Sequence, residues 1–85
     1  MKGVWEALSD KTRREILTLL RERAYTAGEI CDRFALSPAT VSHHLSVLKE
    51  GKLVTASRHA QTIIYSLNTT VIQEAMKSLA EFLNK

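Results

Sequence analysis

Apolar side chains recur with helical spacing in four successive segments before the pattern becomes strand-like. Val4, Trp5 and Leu8 lie on one side of a short amphipathic stretch, which is too brief to be stable alone and has to pack on something else. Ser9-Asp10 punctuates the chain, and Asp10 is a suitable cap for a helix carrying Ile16, Leu17, Leu19 and Leu20 along its buried side. Thr26-Ala27-Gly28-Glu29 has the spacing of a capping box, in which a hydroxyl and a carboxylate reciprocally satisfy the free N–H groups of a helix start. That third helix takes its apolar side from Ile30, Phe34 and Leu36, and Ala35-Leu36-Ser37 is a short turn into a fourth.

The fourth helix organises the rest. Ser37 is a good N-cap, and Pro38 stands at the first helical position, where its missing N–H costs nothing and its φ is already helical. Val41, Leu45 and Leu48 form one apolar stripe at i, i+4 and i+7. The opposite side carries Ala39, Thr40, Ser42, His43 and Ser46, all small or hydrogen-bonding, and no carboxylate stands between Arg33 and Lys49. Such a face can approach a polyanion closely. Helix, tight turn and capped helix make a helix-turn-helix arrangement.

Gly51 is a natural stop for this helix, in the position after its C-cap. The runs 53–57 and 62–67 follow as two strands of a hairpin, with Ile63, Tyr65 and Leu67 alternating onto the core face and Arg58-His59-Ala60-Gln61 at the exposed tip. Asn68 or Thr69 then caps a last helix with a wide apolar stripe of Ile72, Ala75, Met76, Leu79, Phe82 and Leu83. Part of that stripe has to pack on the domain's own core. The remainder of Ile72, Met76, Leu79, Phe82 and Leu83, together with Val4, Trp5 and Leu8, is expected to form the seam of a symmetric homodimer. A two-fold axis there presents two reading helices to major-groove faces roughly 34–36 Å apart. The expected fold is α+β, mainly α: one winged helix-turn-helix domain over residues 1–85, with about five helices and a two-stranded hairpin wing.

Composition sharpens this picture in three ways. At 85 residues the chain is below the size at which one core gives a wide stability margin, so help from oligomerisation is expected. The 45% apolar and 25% charged residues are ordinary for a globular protein and do not indicate disorder. The formal charge of +3 is localised: residues 33–73 hold Arg33, Lys49, Lys52 and Arg58 against Glu50 alone, while the remainder sums to zero. A nucleic-acid footprint has this distribution. Arg13 and Arg14 lie early in their helix, where the dipole does not favour cations, and are expected to be held by a carboxylate or a phosphate. No stretch approaches the roughly 18 apolar residues of a membrane span. The start, broken by Glu6 and Asp10, does not read as a signal peptide, and one cysteine, Cys31, excludes an internal disulfide. A cytoplasmic protein is expected.

The expected partner is double-stranded DNA. Its candidate contacts are Ser37, Pro38, Ala39, Thr40, Ser42, His43, His44, Ser46 and Lys49 on the reading helix, with Arg58, His59 and Gln61 on the wing. An interaction-only winged helix would present a neutral face here instead. Acid–base catalysis by Ser42, His43, His44 and Cys31 would need an oriented dyad in a water-excluding cleft, which neighbours on one exposed helix face cannot build. No cofactor is expected.

With these parts in place, the chain resembles the ArsR family of bacterial winged-helix repressors from about Trp5 to its end. Leu8 to Leu17 is similar to the family's LADPTRLRIL opening, with Lys11 in place of its proline. Ser37 to Leu48 resembles its S-x-x-T/A-V-S-H-H-L-x-x-L reading helix, and Ile64-Tyr65-Ser66-Leu67 the end of its wing. The stretch 66–74 looks most like the small SdpR-type autorepressors within the family. The resemblance implies a homodimer that sits on its operator and blocks transcription. It places the base-contacting face on Pro38, Ala39, Ser42 and His43, with Thr40 and Arg58 near phosphates. Pro38 and Ala39 offer no side-chain donor, so direct readout leans on Ser42 and His43, with Ala39 against a thymine methyl, and DNA shape contributes the rest. Ala60 stands where the family's wing usually has Gly, and a position needing φ > 0 penalises Ala.

Many members of this family sense metals. A thiolate site on the third helix needs a Cys-x-Cys pair, and here the stretch is Glu29-Ile30-Cys31-Asp32. The other family site needs Asp and His ligands on the last helix, and residues 68–85 hold no His, Asp or Cys. His43 and His44 point about 100° apart on a helix and cannot easily share an ion. No metal is expected. Release by a regulatory protein partner, autoregulation by concentration alone, or an atypical metal or redox response through Cys31 remain the alternatives.

Overall fold

The computed structural model describes residues 3–84. Five helices and three strands follow one another as α1 (Val4–Leu8), α2 (Lys11–Leu20), β1 (Tyr25–Thr26), α3 (Ala27–Phe34), α4 (Pro38–Glu50), β2 (Val54–His59), β3 (Thr62–Leu67) and α5 (Thr69–Leu83). The caps read from the sequence form. Asp10 accepts from the N–H of Arg13 at 2.9 Å. Thr26 and Glu29 complete a reciprocal box, with bonds of 2.9 and 3.1 Å. Asn68, rather than Thr69, caps α5.

These hydrogen bonds also set acidities. The backbone N–H of Arg13 holds the Asp10 carboxyl below the usual carboxylate range, helped by the nearby charge of Arg13. The N–H of Thr26 and then Arg23 do the same for Glu29. Both carboxylates stabilise the fold above the ordinary carboxylate range, and that contribution is lost as the pH falls through their lowered values.

The core lies where α2, α3 and α4 meet. Ile16, Ile30, Val41, Leu48 and Leu53 are wholly buried there, with Leu45 and Val54 nearly so. The wing carries one more strand than expected: Tyr25 and Thr26 pair antiparallel with Tyr65 and Ile64, giving the order β1-β3-β2. Tyr25 is buried by that pairing. The expected alternation of β3 is blunted, because Ile63 is exposed while Tyr65 and Leu67 are half-buried. The wing's anchor on the core is instead its root, Leu53 and Val54.

Two turns differ from expectation in their backbone. Gly51 is not the left-handed residue that ends α4; it keeps φ −75°, and Lys52 takes φ +62°. Lys52 N–H bonds Lys49 O and Leu53 N–H bonds Leu48 O, both at 3.0 Å, which is the full Schellman pattern. Gly51 is required for another reason: a Cβ there would lie 2.9 Å from the carbonyl oxygen of Gly3.

At the wing tip, β2 runs on through Arg58 and His59, and only Ala60-Gln61 lie between the paired His59 and Thr62. Ala60 adopts φ +58°, the strained case for a residue with a Cβ. Replacing Ala60→Gly is therefore expected to raise stability by about 0.5–1 kcal/mol, the gain from relieved strain less the added chain entropy. Thermal unfolding at fixed concentration checks this.

Helix α5 buries Ala75 and half-buries Val71 and Ile72. Met76, Leu79, Phe82 and Leu83 are 66%, 48%, 74% and 70% exposed, so its last turns find little cover among the described residues.

Candidate nucleic-acid interface

The reading helix is fixed at its start and along one side. Ser37 Oγ accepts from the Thr40 N–H at 3.2 Å and donates to the Thr40 hydroxyl at 2.9 Å. This leaves the Thr40 hydroxyl proton as a donor. Val41, Leu45 and Leu48 seat the opposite side in the core. Between these constraints, Ser37, Pro38, Ala39, Thr40, Ser42, His43, Ser46 and Lys49 are all exposed. The structure thus brings eight of the nine α4 candidates onto open surface.

The ninth, His44, is a correction. Its side chain is only 13% exposed, and its Nδ1 lies 3.3 Å from Arg13 Nη1 and 4.0 Å from Asp10 Oδ2. One helical step from His43 rotates it about 100°, off the outer face and toward the start of α2. The two rings are tilted at 50° with centroids 5.9 Å apart.

Wing residues Arg58, His59 and Gln61 are exposed. Arg58 and His59 are successive strand positions, so they leave the hairpin on opposite faces. His59 shares its face with Ser57, whose Oγ lies 3.2 Å from His59 Nε2. Of the four cations in the positively charged segment, Arg33 is 3.8 Å from Glu22 and partly neutralised. Lys49, Lys52 and Arg58 pair with no carboxylate among the described residues, leaving them free for an anionic partner.

Among the described residues, Arg13 and Arg14 are held by main-chain carbonyls rather than by a carboxylate. Arg13 is 9% exposed; its Nε donates to Ala7 O at 3.0 Å and its Nη2 to Glu6 O at 3.1 Å. Arg14 Nη1 donates to Leu8 O at 2.8 Å. Two guanidinium groups therefore close the C-terminal end of α1, where cations are favoured; the Glu6 carbonyl also accepts from the N–H and hydroxyl of Ser9. The function of Arg13 was not legible locally, because its acceptors lie on a different helix.

The seam candidates divide. Val4 is a second correction: it is 2% exposed and belongs to the core, since α1 turns it toward α4. Trp5, Leu8, Ile72, Met76 and Leu79 line an open apolar groove of about 270 Å³ between α1, α2 and α5. Phe82 and Leu83 extend the apolar surface beyond it. Among the described residues, no group of three or more His, Cys, Asp and Glu could hold a metal ion, and Cys31 is a free, half-buried thiol. No helix among the described residues is long and apolar enough to cross a membrane.

Three helices around one core, a capped second helix of the turn and a hairpin beside it define a winged helix-turn-helix domain. The chain belongs to the ArsR family: the profile of the bacterial regulatory protein arsR family matches residues 10–56. It is 45% identical over 85 residues to the transcriptional repressor SdpR of Bacillus subtilis, covering 100% of this chain and 94% of that protein. An ArsR-like transcriptional regulator from Rhodococcus superimposes with a TM-score of 0.85 at 29% identity, over 94% of this chain and 76% of that one. A homodimeric winged helix-turn-helix DNA-binding domain from Mycobacterium bovis, a possible ArsR-family regulator, gives 0.77 at 26% identity, over 93% and 75%.

Proposed function

We propose that this protein is a sequence-specific DNA-binding transcriptional repressor of the cytoplasm, acting as a homodimer on a pseudopalindromic operator that includes its own promoter. The observation that carries this is the outer face of α4: small and hydrogen-bonding side chains, no carboxylate before Glu50, and the exposed Lys49 in its last turn, with Lys52 and Arg58 exposed in the turn and wing that follow. The similarity to a repressor over nearly the whole of both chains supports the direction of regulation. The homodimeric neighbour, with the uncovered stripe of α5, supports the two-fold assembly. His43 and Ser42 read bases, Ala39 meets a thymine methyl, and Ser37, Thr40, Ser46 and Lys49 hold the backbone. Arg58 and Gln61 follow the flanking groove. His59, on the other face of the wing, takes a phosphate only if the hairpin lies edge-on. No metal takes part, and release falls to a protein partner or to dilution.

The test is binding to the DNA upstream of its own gene against unrelated DNA, with and without zinc and with and without reductant. Tight binding to the first alone, unmoved by either addition, supports the proposal. Equal weak binding to both would favour a protein-interaction module, and release by zinc or oxidant would restore a sensing role to Cys31 or the histidines.

Two substitutions separate readout from attraction. His43→Ala is expected to cost about 1–3 kcal/mol on the cognate site and much less on random DNA; an equal loss on both would show that His43 reads no base. Arg58→Ala is expected to weaken both evenly and to flatten the dependence of log affinity on log salt by about one unit. An unchanged slope would remove Arg58 from the phosphate contacts.

A further inference from the structure

Arg13 is the one buried charged side chain among the described residues, and it does more than close α1. Its three nitrogens reach two different helices: Nε and Nη2 donate to the carbonyls of Ala7 and Glu6 at the end of α1, and Nη1 faces the His44 ring on α4. A guanidinium can only donate. The 3.3 Å contact is therefore a hydrogen bond only if His44 Nδ1 presents its lone pair, which puts the ring proton of the neutral imidazole on Nε2. At the other end of α1, the backbone of Gly3 lies against Gly51 at the end of α4. Helix α1 is thus fastened to the reading helix at both ends of α1, its start against Gly51 and its last turn, through Arg13, to His44 at the middle of α4, and it carries Trp5 and Leu8 into the apolar groove.

We propose that Arg13 is a positioning residue for DNA binding, tying the reading helix to the seam helix α1 through the Nδ1 lone pair of His44. The premise is the DNA-binding dimer proposed above. In that dimer the spacing of the two reading helices is set at the seam, and it reaches the DNA only as accurately as α1 holds α4. The charged and titratable groups facing the His44 ring are Arg13 and Asp10 from α2 and His43 from α4 itself. Of these only Arg13 is within hydrogen-bond distance.

The two nitrogens of His44 make different predictions, and two amides tell them apart. Asn places its side-chain oxygen near the position of Nδ1, whereas Gln reaches toward that of Nε2. His44→Asn is expected to keep cognate affinity within about threefold, and His44→Gln and His44→Leu to lose about tenfold, the usual size of such coupling effects. Sedimentation should show the dimer retained in all three. Retention by Gln and loss by Asn would mean that His44 touches DNA through Nε2, and would overturn the proposal. Equal affinity in all three, or equal loss in all three, would overturn it as well, since neither depends on the acceptor.

A second readout needs no DNA. Nitrogen-15 shifts of the neutral His44 imidazole should show the Nε2–H tautomer populated beyond the preference a free imidazole already has, and a fall back to that preference in Arg13→Lys, whose ammonium lacks the planar fork that spans the three acceptors. The Nδ1–H tautomer in the parent would break the link directly. If the parent binds no specific DNA, the proposed function fails while the tautomer still decides whether Arg13 joins the two helices.

Discussion

Arg13→Met is expected to lower stability by about 3 kcal/mol and the thermal midpoint by roughly 15 °C at fixed protein concentration. Methionine replaces much of the volume, so the loss is one of hydrogen bonds rather than of packing. The Ala7 carbonyl loses its charged donor in a buried place, and an unsatisfied buried acceptor is the expensive case; the Glu6 carbonyl, part-buried, keeps the N–H and hydroxyl of Ser9. Helix α1 has only five residues, too few to hold itself together, so it should fray first. Urea unfolding followed by Trp5 fluorescence measures the effect where it falls. A loss below about 1 kcal/mol would show that α1 is held by apolar contacts alone.

Gly51→Ala tests the other end of the same pairing. In a helical φ,ψ such as that of Gly51, alanine is favoured over glycine by about 1 kcal/mol on propensity alone. The structure predicts the opposite sign. The new Cβ would meet the Gly3 carbonyl oxygen at 2.9 Å and the Ala7 Cβ at 3.4 Å. That carbonyl already accepts the first bond of α1, from the Ala7 N–H at 3.0 Å, and cannot retreat without loosening the helix. A net destabilisation of about 2 kcal/mol is expected, read from the urea midpoint. Unchanged or higher stability would show that α1 and α4 do not approach as closely as described.

These two residues also mark where sequence reasoning ran out. Features in which a side chain bonds its own neighbourhood were legible: the Asp10 and Ser37 caps, the Thr26–Glu29 box, and the stripe of Val41, Leu45 and Leu48 that turns the reading face outward. Features set by contacts distant in sequence were not. Tyr25-Thr26 is too short to show a strand period and becomes a strand only because Tyr65 and Ile64 lie beside it. Gly51 looked like a left-handed stop, the usual role of such a glycine, whereas Lys52 bears that strain and Gly51 makes room for Gly3. Val4 and Trp5 are adjacent apolar residues, and only the placement of α1 sends the first into the core and the second to the surface. His44 was indistinguishable from His43 by residue type, and the partner that turns it inward, Arg13, is thirty-one positions away.

The same division applies to the site. The residues of the reading face follow from helical phase, which the sequence carries. The supports behind that face, Arg13 with His44 and Gly3 with Gly51, depend on how α1 crosses the domain. Ala60 lay between the two cases: the penalty for a positive φ was foreseeable, but whether the turn demanded one depended on the strands closing over only two residues.

Selection of the purified protein on a random-sequence duplex library tests the central claim most directly. The account predicts enrichment of an inverted repeat whose half-site centres lie about 10–10.5 base pairs apart, or a multiple of that, with the enrichment weakened by His43→Ala at one position in each half. Absence of any enriched sequence, at salt low enough for non-specific binding to be seen, would contradict it.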